Sequence, residues 1–128
     1  MSSTLQVPAP RKRRQAHARA IESDLTPAVR KLVDVLGKGL VAVIAGRDVK
    51  TITRWIAGQG PRGDDEQRRI RDSLQIAELL LASDSPATVR AWFMGMNPDL
   101  DDESPAEVLA EGRSRDVMAA AREFSHSG

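Results

Sequence analysis

Three times in this chain a small hydroxyl residue is followed directly by proline: Thr26-Pro27, Ser85-Pro86 and Ser104-Pro105. A hydroxyl at a helix N-cap accepts a hydrogen bond from a free amide of the first turn. Proline at the next position lacks the amide that would go unpaired there, and its φ is already set for a helix. Each pair therefore reads as a helix start. After the first, Val29, Leu32, Val33 and Leu36 recur at the i, i+3, i+4, i+7 spacing of one buried stripe, and Gly37 ends the helix. The second pair opens a helix running to about Met94, and the third, with Glu107 completing a capping box, opens one that ends near Gly112. Between the first two pairs lie a short apolar run over 40–45, Gly46, and Asp48 as N-cap of a helix over 49–57 that Gly58, Gly60, Pro61 and Gly63 stop. A longer helix starts at Asp64, where Asp64, Asp65 and Glu66 suit its N-terminal dipole and Ile70, Leu74, Ala77 and Leu81 draw its buried stripe. Ser114 caps a last helix ending near Phe124. No segment alternates polar and apolar residues as a half-buried strand would, so the expected class is all-α.

A chain of 128 residues with 41% apolar content has room for one domain, or for two very small helical ones. No apolar run is long enough to span a bilayer, and the basic N-terminal segment precedes no signal-peptide core, which predicts a cytoplasmic protein without membrane contact. The chain has no cysteine, and its two histidines, His17 and His126, lie far apart in its tails. A metal site, a cofactor and histidine-based catalysis are therefore not expected. The glycines near position 60 sit at a helix end without a Lys-Ser or Lys-Thr partner, and no nucleophile, base and orienting group can be named together. A binding protein is the expectation, not an enzyme.

The charge is strongly polar along the chain. Residues 1–75 carry fifteen Lys and Arg against eight Asp and Glu, a net +7, while residues 76–128 carry four against ten, a net −6. A basic half attracts polyanions and an acidic half attracts basic protein surface, so two surfaces with two partners are implied. The first 20 residues, with Pro8, Pro10 and the cluster Arg11 to Arg14, are too poor in large apolar groups to offset the entropy of ordering. They read as a basic flexible arm that serves either to attract phosphates or as a solubilising tail.

The segment 40–57 has the form of a helix-turn-helix, in which a second helix lies in the major groove while the first braces it. Gly46 suits the left-handed turn, Asp48 caps the second helix, and Ile52, Trp55 and Ile56 hold that helix from behind; Trp55 reads as core. Lys50 and Arg54 share the exposed face, where they can pair with guanine edges. Thr51, Thr53 and Arg62 are placed as phosphate donors with Arg47 nearby, and Val49 can meet a thymine methyl. An ordinary solvated face is the competing reading of Lys50 and Arg54. One short reader binds weakly, so a symmetric dimer on a palindromic site is expected.

Beyond these readings the chain resembles a known family. The region 36–60, with LVAVIAGRDVKTITRWIAGQG, resembles an Xre-type helix-turn-helix, and 89–124 resembles the C-terminal toxin-binding domain of the Xre/MbcA/ParS antitoxins. The residues that carry the second likeness are RAWFMGMNPDL, with Trp92 and Asn97-Pro98, and SPAEVLAEG, 104–112. The resemblance implies a small helix-turn-helix bundle followed by a short helical toxin-binding domain, divided as arm 1–20, Xre-like domain 21–82 and toxin-binding domain 83–128. It implies a type II antitoxin: a homodimer that binds operator DNA and holds a cognate toxin inactive, commonly a RES-domain enzyme that consumes NAD. Val49, Lys50 and Arg54 match the positions that face bases, and Thr51 one near the phosphates. The last helix and tail, 113–128, which include Arg115 and Arg122, match the part that blocks the toxin pocket. The chain departs from the family pattern in its acidic turn, Asp99 to Glu103, and in its basic arm.

Charge and size give that implication a mechanism. An enzyme that handles NAD needs a basic pocket, toward which an acidic surface bearing Asp101, Asp102, Glu103, Glu107, Glu111 and Asp116 is steered. Trp92, Phe93, Met94, Met96 and Phe124 are the apolar anchor candidates, with core packing the alternative for Trp92. The competing function is a stand-alone helix-turn-helix regulator whose C-terminal helices serve dimerisation.

Overall fold

The computed structural model describes residues 25–127, and every regular element among them is a helix. Helix α1 covers 25–36, followed by α2 (Lys38–Ala45), α3 (Val49–Ile56), α4 (Asp64–Leu81), α5 (Pro86–Met94), a single 3-10 turn (Pro98–Leu100), α6 (Pro105–Ala110) and α7 (Ser114–Ser127). The all-α class expected from the sequence is the class observed. The basic arm and His17 lie outside the described residues.

Two of the three hydroxyl-proline pairs start helices as read. Ser85 Oγ accepts from the Thr88 amide at 3.2 Å, and Ser104 Oγ accepts from the Glu107 amide at 3.2 Å. The capping box closes differently from the usual form: the Ser104 hydroxyl donates to Glu107 Oε1 at 2.9 Å. The first pair does not cap. Helix is already formed at residue 25, so Thr26 lies inside it, and its hydroxyl is buried without a hydrogen-bond partner among the described residues. The cause is Leu25, only 2% exposed, which extends the stripe of Val29, Leu32 and Leu36 by one turn toward the N-terminus. The Asn97-Pro98 pair, which the sequence marks only for its family likeness, also starts an element: Asn97 Oδ1 accepts from the Asp99 amide at 2.9 Å and caps the 3-10 turn.

One hydrophobic cluster runs from Leu25 to Ala121. Helix α6 packs on α2 and α5, while α7 packs on α4 and the 3-10 turn, so the core continues past the turn at 82–85. Phe93, Leu100, Val108 and Leu109 from the later helices are as fully buried as Leu32, Ile44 and Ile52 from the earlier ones. The stripe of α4 is broader than its sequence reading. Ile70 and Ala77 are buried as expected, but Ser73, Ile76 and Leu80 join them while Leu74 and Leu81 sit at the margin. Helices α2, α5, α6 and α7 all contact α4, so more than one of its faces is covered. No helix among the described residues is long and apolar enough to cross a membrane.

Candidate functional site

The turn between α2 and α3 is built from backbone geometry that the sequence supplies residue by residue. Gly46 has φ 68° and ψ 35°, the left-handed conformation that glycine tolerates best. Its amide donates to Val43 O at 3.2 Å and the Arg47 amide to Ala42 O at 3.0 Å, the paired bonds of a Schellman cap that ends α2. Asp48 then starts α3: its carboxylate accepts from the Thr51 amide at 2.9 Å and from the Thr51 hydroxyl at 2.8 Å. These bonds, the backbone one foremost, hold the Asp48 carboxyl below its ordinary value.

Ile52 and Trp55 are buried behind α3 and Ile56 is half-buried, which leaves Val49, Lys50, Thr53 and Arg54 on the exposed side. Thr51 departs from its expected role as a phosphate donor. It is only 7% exposed, its one hydroxyl proton goes to Asp48, and its oxygen accepts from Arg54 Nη2 at 3.2 Å. Thr51 therefore holds the cap and orients Arg54. The exposed Thr53 hydroxyl donates back to Val49 O at 3.1 Å. Arg47 pairs with Glu66 of α4, and that hydrogen bond is the main reason its guanidinium is held above its ordinary value. Arg47, Thr51, Arg54, Gln59, Arg62 and Glu66 line an open groove of about 400 Å³ beside α3.

Two positioning residues were not foreseen. Arg69 of α4 donates through Nη1 to Ile44 O at 3.3 Å and Ala45 O at 3.2 Å, and Arg30 of α1 donates through Nε to Ile56 O at 3.0 Å. Each satisfies carbonyls at the C-terminal end of one helix of the helix-turn-helix, where a cation also suits the dipole. Nothing in the sequence distinguishes them from other arginines of the basic half, because their partners lie 24 to 26 residues away.

The C-terminal face divides into apolar and charged parts. Half-buried Trp92 meets Phe93 edge-on at 5.3 Å and Phe124 of α7 at 6.2 Å. Trp92, Met96, Pro98 and Phe124 line a shallow concavity of about 290 Å³, with Met96 81% and Phe124 37% exposed. Phe93 is corrected from anchor to core. It is fully buried and supports Trp92 from beneath, so it offers a partner no surface. Met94 is exposed but lies apart, over a separate cleft with Leu40, Val43 and Arg90.

The acidic candidates are likewise sorted. Asp101 and Asp102 are exposed on consecutive left-handed residues, φ 57° and 66°. Glu103, Glu111 and Asp116 gather round Arg113 at 3.4, 3.1 and 3.0 Å, and the bonds to Asp116 and then Glu111 hold the Arg113 guanidinium above its ordinary value. Glu107 is engaged by Ser104. Arg115 and Arg122 are exposed on α7, and helical periodicity sets them on the side away from Phe124. Arg113, the hub of this cluster, enters the sequence reading only as the first residue of the segment 113–128. No group of three or more His, Cys, Asp or Glu among the described residues is arranged to hold a metal ion.

No protein-family model and no curated protein matches the chain. Among solved structures, it is similar to a chain of the crystal structure of the M. tuberculosis MbcT-MbcA toxin-antitoxin complex, with a TM-score of 0.68 and 21% sequence identity. The match covers 80% of this chain and 95% of that one. The all-helical fold implied by the family resemblance is thus the fold observed.

Proposed function

We propose that this protein is the antitoxin of a type II toxin-antitoxin pair. It binds a cognate RES-domain toxin through its C-terminal helices, keeping NAD from the toxin's active site, and as a homodimer it binds operator DNA through α3 to regulate its own operon. The observation that carries this reading is the fold likeness to a chain from a toxin-antitoxin complex, over a span too long to lie in either half of this chain alone. The arrangement of side chains supports it. Lys50 and Arg54 stand exposed on a helix fixed at both ends, which suits bidentate reading of guanine. Trp92, Met96 and Phe124 form an apolar patch in a concavity that Asp99 and Glu123 also line, which suits an anchor steered toward a basic pocket mouth.

The test is co-expression with the toxin encoded beside it. Cells carrying both should keep their NAD and grow, and the two proteins should co-purify. Persistent NAD loss with DNA binding intact would instead make the protein a stand-alone regulator.

A further inference from the structure

Arg47 lies in the turn between α2 and α3, and in a helix-turn-helix the first of these helices crosses the phosphate backbone while the second enters the major groove. Its Nε donates to Glu66 Oε2 in a short ion pair. The partners are unequally buried: the Arg47 side chain is 49% exposed and that of Glu66 only 18%. Glu66 belongs to the first turn of α4, where the helix dipole favours its negative charge and fixes it inside the groove that Arg47, Arg54 and Gln59 line.

The pair is not what fastens the helix-turn-helix to the rest of the fold. Arg69 and Arg30 bind the helix-end carbonyls, and Ile52 and Trp55 are buried in the core. A half-exposed ion pair adds little to that framework. Its larger effect is on any anion that approaches. A carboxylate set among arginines cancels part of their attraction, occupies a donor of one of them, and opposes an incoming phosphate by like charge.

We propose that Glu66 is a built-in competitor for a DNA backbone phosphate: it occupies Arg47 in the free protein and lowers the affinity of the groove for every DNA sequence. The inference rests on the DNA-binding reading above. Affinity common to all sequences comes from phosphate neutralisation, whereas discrimination comes from base contacts. Restraining the first leaves the choice of site to Lys50 and Arg54. A protein whose other face serves a protein partner gains from not being held on unrelated DNA.

The experiment uses the full chain and two duplexes of equal length, one from immediately upstream of its own reading frame and one unrelated, titrated by fluorescence anisotropy across a salt series. Glu66→Gln should bind both duplexes about five- to tenfold more tightly. Its log-log salt slope should steepen by about one, the increment for one further phosphate contact. Adding Arg47→Ala should abolish the gain. Glu66→Ala, which also suits a helix, repeats the test should the glutamine variant fold poorly. Equal or weaker binding to the unrelated duplex, or an unchanged slope, overturns the proposal and leaves the pair a brace. A wild-type chain that binds neither duplex removes the DNA-binding reading and this inference together; a wild-type chain that binds, with no gain in the variants, removes the inference alone.

Discussion

The helix-turn-helix and the C-terminal face expose opposite chemistry on one shared core. Around α3 the outward groups other than Val49 are cationic or polar, while the apolar residues Ile52 and Trp55 are turned inward. Around Trp92 the outward groups are the apolar Met96 and Phe124, while three of the nearby carboxylates are drawn together by Arg113. Exposed charge is at ease in water, but a cluster of exposed apolar side chains gains by being covered. The first surface is thus suited to a partner it meets through charge, the second to one it meets through burial.

The largest effect tests whether the two surfaces share one stability. Phe93 lies beneath the C-terminal face yet belongs to the cluster that includes α1 to α4. Phe93→Ala should cost about 3–5 kcal/mol and shift a single thermal transition, taking DNA binding down with partner binding. Survival of α1 to α4 as a separate transition at the wild-type temperature would mean that the halves are independent.

Next comes the face of α3 proposed to read bases. Lys50→Ala with Arg54→Ala should remove about 1–3 kcal/mol of operator discrimination per base pairing lost, while partner affinity and melting temperature stay the same. An unchanged footprint would refute the reading role of these two side chains. The mirror experiment is Met96→Glu or Phe124→Ser, each expected to weaken partner binding by about 2 kcal/mol without altering the DNA footprint. Loss of DNA binding in either would blur the division between the surfaces.

How far that division could be read in advance follows from the range of the interactions. Asp48, Gly46, Ser85 and Ser104 were readable because each acts on amides or dihedrals within a few residues of itself. The inward stripe of α3 was readable from its period, as was the burial of Trp55. Phe93 and Trp92 were not separable, since adjacent aromatic residues on one helix look equally suited to core or surface until Phe124 arrives from α7 to flank Trp92. Arg30, Arg69 and the Arg47–Glu66 pair were hidden for the same reason: their partners come from other elements. Leu25 shows the reverse case, a local capping signal at Thr26 overridden by a buried side chain one residue earlier.

The smallest effect separates the two regions by their caps. Helix α3 is capped by the carboxylate of Asp48, whereas α5 and α6 are capped by the hydroxyls of Ser85 and Ser104, which do not titrate in the acid range. Folding lowers the Asp48 pKa from its ordinary 3.8, so the ionised carboxylate binds the folded state more strongly than the protonated one. Its contribution is complete above 3.8 and fades as pH falls through the lower folded value. Amide exchange in the first turn of α3 should therefore lose protection in acid sooner than that of α5 and α6. Asp48→Asn keeps an oxygen that accepts the Thr51 amide, and asparagine caps about as well as aspartate, so at neutral pH the variant should lie close to wild type. In acid it should lack the added loss at α3. If wild type and variant lose α3 protection in parallel, the acid response belongs to the shared core, and the cap does not distinguish the helix-turn-helix half from its C-terminal neighbour.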